Sequence, residues 1–146
     1  MHLIRPSRSE EELTAYYEMT VDDLEERLLT HDIFLIYADD HLVGEMNVMY
    51  DPPHLYHQEP GTAWLGFVIG EAVGRGKGVG TEALRLLEER LRAQGTPRME
   101  LGVFAFNDAA HRLYTKRGYQ EIGRIEQFTY WDGQFWSDIR MEKRLD

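Results

Sequence analysis

Residues 74–80 read Gly-Arg-Gly-Lys-Gly-Val-Gly, with Arg75 and Lys77 set between alternate glycines. Glycine lets successive peptide N–H groups turn inward, and the two cations add charge, so the segment suits an anion such as a phosphate group. Spacing decides between the phosphate motifs. A Walker A loop needs Gly five residues before Gly76-Lys77 and Ser or Thr after the lysine, where Glu71 and Gly78 stand instead. The dinucleotide fingerprint GxGxxG fails as well, because Gly74-x-Gly76 runs on to Val79 and Gly76-x-Gly78 to Thr81. What remains is strand, glycine loop, helix, with a helix from about Gly78 whose first N–H groups and positive dipole end favour a pyrophosphate. A loop that is glycine-rich only to turn tightly would use the same residues.

The elements that must hold this loop follow from periodicity. HLIRP (residues 2–6) reads as a strand stopped by Pro6, and Ser9 with Glu12 as a capping box opening one of two short helices that run to about Leu29. Residues 33–38 and 41–50 read as strands of a hairpin turned at Asp39-Asp40. DPPHLYHQEPG (51–61) is a loop, since three prolines in it allow little else. AWLGFVIG (63–70) is a buried strand leading into the glycine loop. Val79, Ala83, Leu84, Leu87 and Leu91 recur at helical spacing to about Gln94, with Gly95 as the cap. A strand over 99–104 comes next, then a helix from Asn107 or Asp108 with Ala110, Leu113, Tyr114 and Arg117 on one face, ended by Gly118. Two long strands joined at Asp132-Gly133 close the chain. No repeat or linker marks a second domain, so residues 1–146 are expected to form one.

The chain has 146 residues, no Cys and a net charge of −10. Without Cys there is no thiol nucleophile, disulfide or Cys-ligated metal, and a reducing, cytoplasmic location is expected. Short apolar runs broken by charge, and a first segment without an apolar core, predict neither membrane span nor export signal. The acidic excess argues against nucleic acid as a partner. It is also lopsided: residues 1–74 hold 3 basic against 15 acidic side chains, and residues 75–146 hold 13 against 11. An anionic ligand is better received by the second half and a cationic one by the first, although runs such as Glu10–Glu12 also read as solvated helix faces.

Two segments carry a family resemblance. Arg75-Gly76-Lys77-Gly78-Val79-Gly80 is similar to the phosphate motif of the GNAT superfamily of acyl-CoA-dependent N-acetyltransferases: Arg or Gln, two residues, Gly, any residue, Gly or Ala. Residues 107–119 resemble the same family's Asn, x, x, Ala, two residues, Leu-Tyr, two residues, Gly, aromatic segment, here from Asn107 through Ala110, Leu113, Tyr114 and Gly118 to Tyr119. The order of elements is similar over nearly the whole chain. Residues 132–141 look like the ending found in ribosomal-protein and spermidine acetyltransferases, and are too short to choose between them. The resemblance implies a mixed α/β (α+β) fold, a central, mostly antiparallel sheet of about seven strands flanked by about four helices. It also implies acetyl-CoA as co-substrate and acetyl transfer to a primary amine, of a small molecule or of a peptide N-terminus.

Thioester aminolysis develops negative charge on oxygen and expels a thiolate, so it needs two donors. By the resemblance, a backbone N–H near Val68 serves the oxygen, with Phe67 and Ile69 lining the same groove, and Tyr114 protonates the leaving sulfur as general acid. Coenzyme A contacts are then expected from Phe67, Val68 and Ile69, from Arg75, Gly76, Lys77, Gly78, Val79, Gly80 and Thr81, and from Asn107, Ala110 and Tyr114. Asn107 also reads as an N-cap, and Tyr114 as a packed core aromatic. An alkylammonium of pKa ~10.4 is neutral only about once in 10³ near pH 7, so a base is wanted. Many relatives carry Glu on the strand before the glycine loop, but residues 64–69 offer no carboxylate. Glu45, His57, Glu59 or a water chain remain candidates, each also readable as an ordinary surface group, and Glu71 is discounted as solvent-facing.

His54 and His57, with Glu59 nearby, imitate a metal site, but no regular element fixes a third ligand, and no metal is expected. Tyr130, Trp131, Phe135 and Trp136 suit cross-strand packing, an acceptor wall or a homodimer face. The acidic first half favours an acceptor that is cationic beyond its reacting amine. The competing reading is a non-catalytic acyl-CoA-binding module, and a nucleotide-binding regulator is weaker because both nucleotide fingerprints fail.

Overall fold

Alternating β-rich runs pair where the sequence places them. In the computed structural model, which describes residues 2–6, 27–69 and 78–146, the strands are β1 (His2–Pro6), β2 (Asp32–Ala38), β3 (His41–Tyr50), β4 (Thr62–Ile69), β5 (Arg98–Phe104), β6 (Gln120–Trp131) and β7 (Gln134–Arg144). Helices α1 (Val79–Ala93) and α2 (Asp108–Lys116) are described whole, and residues 27–30 are helical. The Ser9–Glu12 box, the rest of the early helices, and residues 70–77 with Glu71, Arg75, Gly76 and Lys77 lie outside the described residues.

The seven strands run in the order β1-β2-β3-β4-β5-β7-β6. Contacts group the chain into two compact units, Met1–Tyr50 with Gly66–Leu86, and Asp51–Leu65 with Leu87–Asp146. Strand β4 and helix α1 each have residues in both units.

In the first unit β1 pairs antiparallel with β2, and β2 with β3. The β2–β3 turn holds Asp39 and Asp40 at φ 50° and 68°, left-handed values that short Asp side chains tolerate and that match strand twist. Ile33 and Leu35 are buried, with Leu28, Tyr37 and Leu42 packed against them.

In the second unit β4 pairs parallel with β5, and β7 lies antiparallel between β5 and β6. Side chains alternate across a strand, so Met99, Leu101, Val103, Ile139 and Met141 form one buried apolar face. The other face of β5 and β7 carries Arg98, Glu100, Gly102, Asp138, Arg140 and Glu142, and four of these charged residues are buried. Charge at every second strand position normally marks a solvated face. Here the Pro-rich loop 51–61 bonds to that face, an arrangement described below.

Turn chemistry ends the elements as expected. Gly95 and Gly118 take φ 87° and 93° just after α1 and α2, and Asp132-Gly133 turns the β6–β7 hairpin at φ 53° and 81°. Gln127, at φ 50°, sits where the β6–β7 register shifts between Ile125 and Thr129, a bulge that the alternation of the sequence does not reveal.

Candidate active site

The glycine loop enters the described residues at Gly78, whose φ of 74° is left-handed, with nothing among the described residues within 4 Å of where a Cβ would sit. A side chain at this position meets backbone strain rather than a clash. The Glu82 N–H donates to the Gly78 carbonyl at 3.0 Å, which opens the α1 ladder. The N–H groups of Val79, Gly80 and Thr81 therefore precede any i−4 partner in their own helix and can serve an anion. Val79 and Gly80 are buried.

On β4, Phe67 is partly buried and Val68 is 59% exposed, while Ile69 ends the strand. β4 pairs with β5 from Thr62↔Arg98 to Trp64↔Glu100, and β4 itself continues to Ile69. Val68, expected to offer its N–H, lies past that stretch.

Asn107 caps α2: its Oδ1 accepts from the Ala110 N–H at 3.1 Å. That bond uses one end of the amide and leaves the Nδ2 end for another partner. Tyr114 is the buried residue of α2, 8% exposed, with its ring 5.8 Å from that of Tyr119. The Tyr119 hydroxyl donates to Met99 Sδ at 3.3 Å, which puts this aromatic pair on the apolar side of the sheet. Burial pushes the Tyr114 hydroxyl up to about 12. It is therefore fully protonated at neutral pH and able to donate.

Of the three candidate bases, Glu45 and Glu59 are held through their carboxylates and His57 through its backbone. Both oxygens of Glu45 accept from the Arg27 guanidinium, at 2.9 and 2.5 Å, and Oε2 also accepts from Asn47 Nδ2 at 2.6 Å. Both carboxylate oxygens are thus committed to donors on neighbouring side chains. The Asn47 amide lies over Gly66, where a Cβ would come within 2.5 Å of Oδ1. Glu59 pairs with Arg144 at 2.9 Å. The backbone N–H of His57 donates to Glu100 Oε1 at 3.1 Å and its carbonyl accepts from Arg98 at 3.2 Å. The His54 ring meets that of Trp64 edge-on at 4.6 Å; burial, and then the Arg140 charge, lower its pKa, so the ring is neutral at pH 7.

Sequence reasoning passed over an alternating chain of charge on the loop-covered face. Glu142 pairs with Arg98 at 2.6 Å, Arg98 with Glu100 at 2.9 Å, Glu100 with Arg140 at 3.7 Å, and Arg140 with Asp138 at 2.8 Å. Glu100 also accepts the backbone N–H groups of Tyr56 and His57, and Arg140 donates to the His54 carbonyl at 2.9 Å. The chain thus clamps the Pro-rich loop to the sheet. On the opposite, helix-facing side, buried Glu88 takes Arg117 and Lys143.

Residues 1–119 match a family model described as the acetyltransferase (GNAT) family. The chain belongs to the GNAT acetyltransferase family. Over 45 residues it is 51% identical to the uncharacterized N-acetyltransferase YdgE of Bacillus subtilis, a match covering 31% of this chain and 29% of that protein. Matches to the curated relatives span about a third of their length. Among solved structures, a GNAT-family acetyltransferase from Streptococcus pneumoniae shares the fold with a TM-score of 0.81 at 23% identity, covering 100% of both chains. YncA of Salmonella typhimurium, a putative acetyltransferase solved with acetyl-CoA, has a TM-score of 0.77 at 19% identity, covering 99% of this chain and 94% of that one. Identities this low show the shared GNAT fold alone. The mixed α/β class and the mostly antiparallel sheet expected from sequence are those of this GNAT chain.

Proposed function

We infer that the protein transfers the acetyl group of acetyl-CoA to a primary amine by direct attack. The observation that carries the reading is the GNAT family match together with the glycine-led start of α1, where Gly78 has a left-handed backbone. Acetyl-CoA, when bound, supplies an acetyl group activated as a thioester. The N–H groups of Gly78, Val79, Gly80 and Thr81, with those of Arg75, Gly76 and Lys77, would hold its diphosphate, and the Arg75 and Lys77 side chains would add charge. Asn107 and Ala110 would take the pantetheine arm, while Phe67 and Ile69 would flank it. The Val68 N–H would receive the charge that develops on the carbonyl oxygen.

Tyr114 faces the leaving sulfur in this reading. Full proton transfer from a hydroxyl of pKa about 12 to a thiolate whose thiol titrates at roughly 8.5 is uphill by ~5 kcal/mol. Tyr114 therefore acts by hydrogen-bonding the departing thiolate, and the proton that completes the thiol comes from the acylated nitrogen, which becomes acidic once its bond to carbon forms. Glu45, held by Arg27 and Asn47, would position β3 rather than accept that proton.

Thiol release from acetyl-CoA with a panel of amines tests the reading. Release that depends on the amine supports it. Tight binding of acetyl-CoA with no release from any amine makes the chain a non-catalytic acyl-CoA-binding module. Gly78→Val is expected to raise the Kd for acetyl-CoA at least tenfold, because a β-branched residue at φ 74° costs upward of ~1.4 kcal/mol before any contact with the diphosphate is lost. Calorimetric titration of both proteins checks this.

A further inference from the structure

Helix α1 departs from its own pattern at one buried position. Its apolar face repeats Val79, Ala83, Leu84, Leu87 and Leu91, yet Glu88, four residues after Leu84 and three before Leu91, is buried with them at 0% exposure. A carboxylate there carries a desolvation cost that a leucine would avoid, so its contacts must account for it. Its Oε1 takes both Arg117 and Lys143, the latter at 2.9 Å. Its Oε2 is buried and accepts no hydrogen bond among the described residues.

What Glu88 gathers is the turn that ends α2 and carries Tyr114. Arg117 is the C-cap of that helix, and its carbonyl accepts from Lys143 Nζ at 2.5 Å. Lys143 also stands over the Tyr119 ring, 5.7 Å from its centre. The Tyr119 N–H donates to the Tyr114 carbonyl at 3.0 Å, and the two rings lie 5.8 Å apart at 60°. The Tyr119 hydroxyl supplies a second link. It donates to Met99 Sδ at 3.3 Å, and a thioether is a weak acceptor. Burial, then the Glu88 charge and a hydrogen bond toward Glu88, push this hydroxyl well above its usual pKa. One proton therefore serves two acceptors, and the carboxylate, with an oxygen to spare, is the stronger.

We propose that Glu88 is a positioning residue for Tyr114: through Arg117, Lys143 and Tyr119 it fixes the last turn of α2, and with it the direction of the Tyr114 hydroxyl. A donor to a developing charge works best when it is aimed before the reaction, and buried polar neighbours do the aiming. The inference rests on the amine-acetylation reading for its purpose, whereas the hold of Glu88 on the tyrosine pair is a property of the free protein.

The test is a double-mutant cycle on kcat for thiol release, together with the 13C NMR spectrum of the free protein labelled at tyrosine Cζ, in which Tyr114→Phe identifies the Tyr114 line. Glu88→Gln is expected to lower kcat about threefold to tenfold, the size of one hydrogen bond, with the Kd for acetyl-CoA unchanged within about twofold. In a Tyr114→Phe background the same change should lower kcat by less than about twofold, because no hydroxyl is left to aim. It should also move the Tyr114 resonance. If Glu88→Gln does not fold, Tyr119→Phe, which leaves the Glu88 ion pairs intact, carries both measurements with the same expectations. Equal losses of kcat with and without the Tyr114 hydroxyl, a loss confined to the Kd for acetyl-CoA, or an unmoved Tyr114 resonance overturns the assignment. If no amine elicits thiol release, the transferase reading fails instead, and the resonance alone decides for Glu88.

Discussion

Tyr114→Phe is expected to lower kcat by about 10- to 150-fold while leaving the Kd for acetyl-CoA within a factor of three, the range for one hydrogen bond to a developing charge. The phenyl ring keeps the packing against Tyr119 and loses only the hydroxyl. The pH dependence sharpens the test. Because burial raises the Tyr114 pKa from 10 to about 12, the hydroxyl stays protonated through the range where an acceptor amine loses its own proton. Turnover should therefore rise with pH toward ~10 as the amine becomes neutral, with no descending limb from Tyr114 below that point. The same shift has a stability sign: a folded pKa above the unfolded one holds the proton more tightly in the folded state, so this contribution is intact below pH 10 and is lost as pH rises toward 12. A Tyr114→Phe enzyme with wild-type kcat, under conditions where chemistry limits the rate, removes the hydroxyl from the mechanism.

The second large effect is on stability. Arg98 is 1% exposed and bonds Glu142, Glu100, Thr62 Oγ1 and the His57 carbonyl. Arg98→Met would leave Glu100 buried with two backbone N–H groups and a distant Arg140, and would release the His57 end of the Pro-rich loop. Removing one partner of a buried ion pair costs about 3–5 kcal/mol, because the remaining charge stays out of water. For a chain of this length that lowers Tm by roughly 10 °C. Arg144→Met, which breaks an exposed pair with Glu59, should leave Tm nearly unchanged. Thermal unfolding of the two variants side by side checks the contrast, and equal shifts would contradict the clamp.

The strands, both hairpin turns, the N-cap at Asn107 and the glycine stops at Gly95 and Gly118 were legible because each is set by local chemistry: β-branched runs, Asp and Gly at positive φ, a side-chain oxygen ahead of a helix. The charged face was not legible. Arg98, Glu100, Asp138, Arg140 and Glu142 alternate with apolar residues as any half-solvated strand does, and only the fold brings residues 54–57 onto them across more than forty positions of sequence. The same gap explains the base candidates. Glu45 and Glu59 have suitable chemistry, but their partners Arg27 and Arg144 are remote in sequence, and a partner decides whether a carboxylate is a base or a clamp.

The anchor of the whole account is coenzyme A held by main-chain amides at the start of α1. A crystal structure of the protein with acetyl-CoA tests it most directly. The diphosphate should lie within hydrogen-bonding distance of the N–H groups between Arg75 and Thr81, with the thioester sulfur within reach of the Tyr114 hydroxyl and its carbonyl oxygen at the Val68 N–H. A diphosphate seated away from that loop, or a sulfur out of reach of Tyr114, would contradict the account.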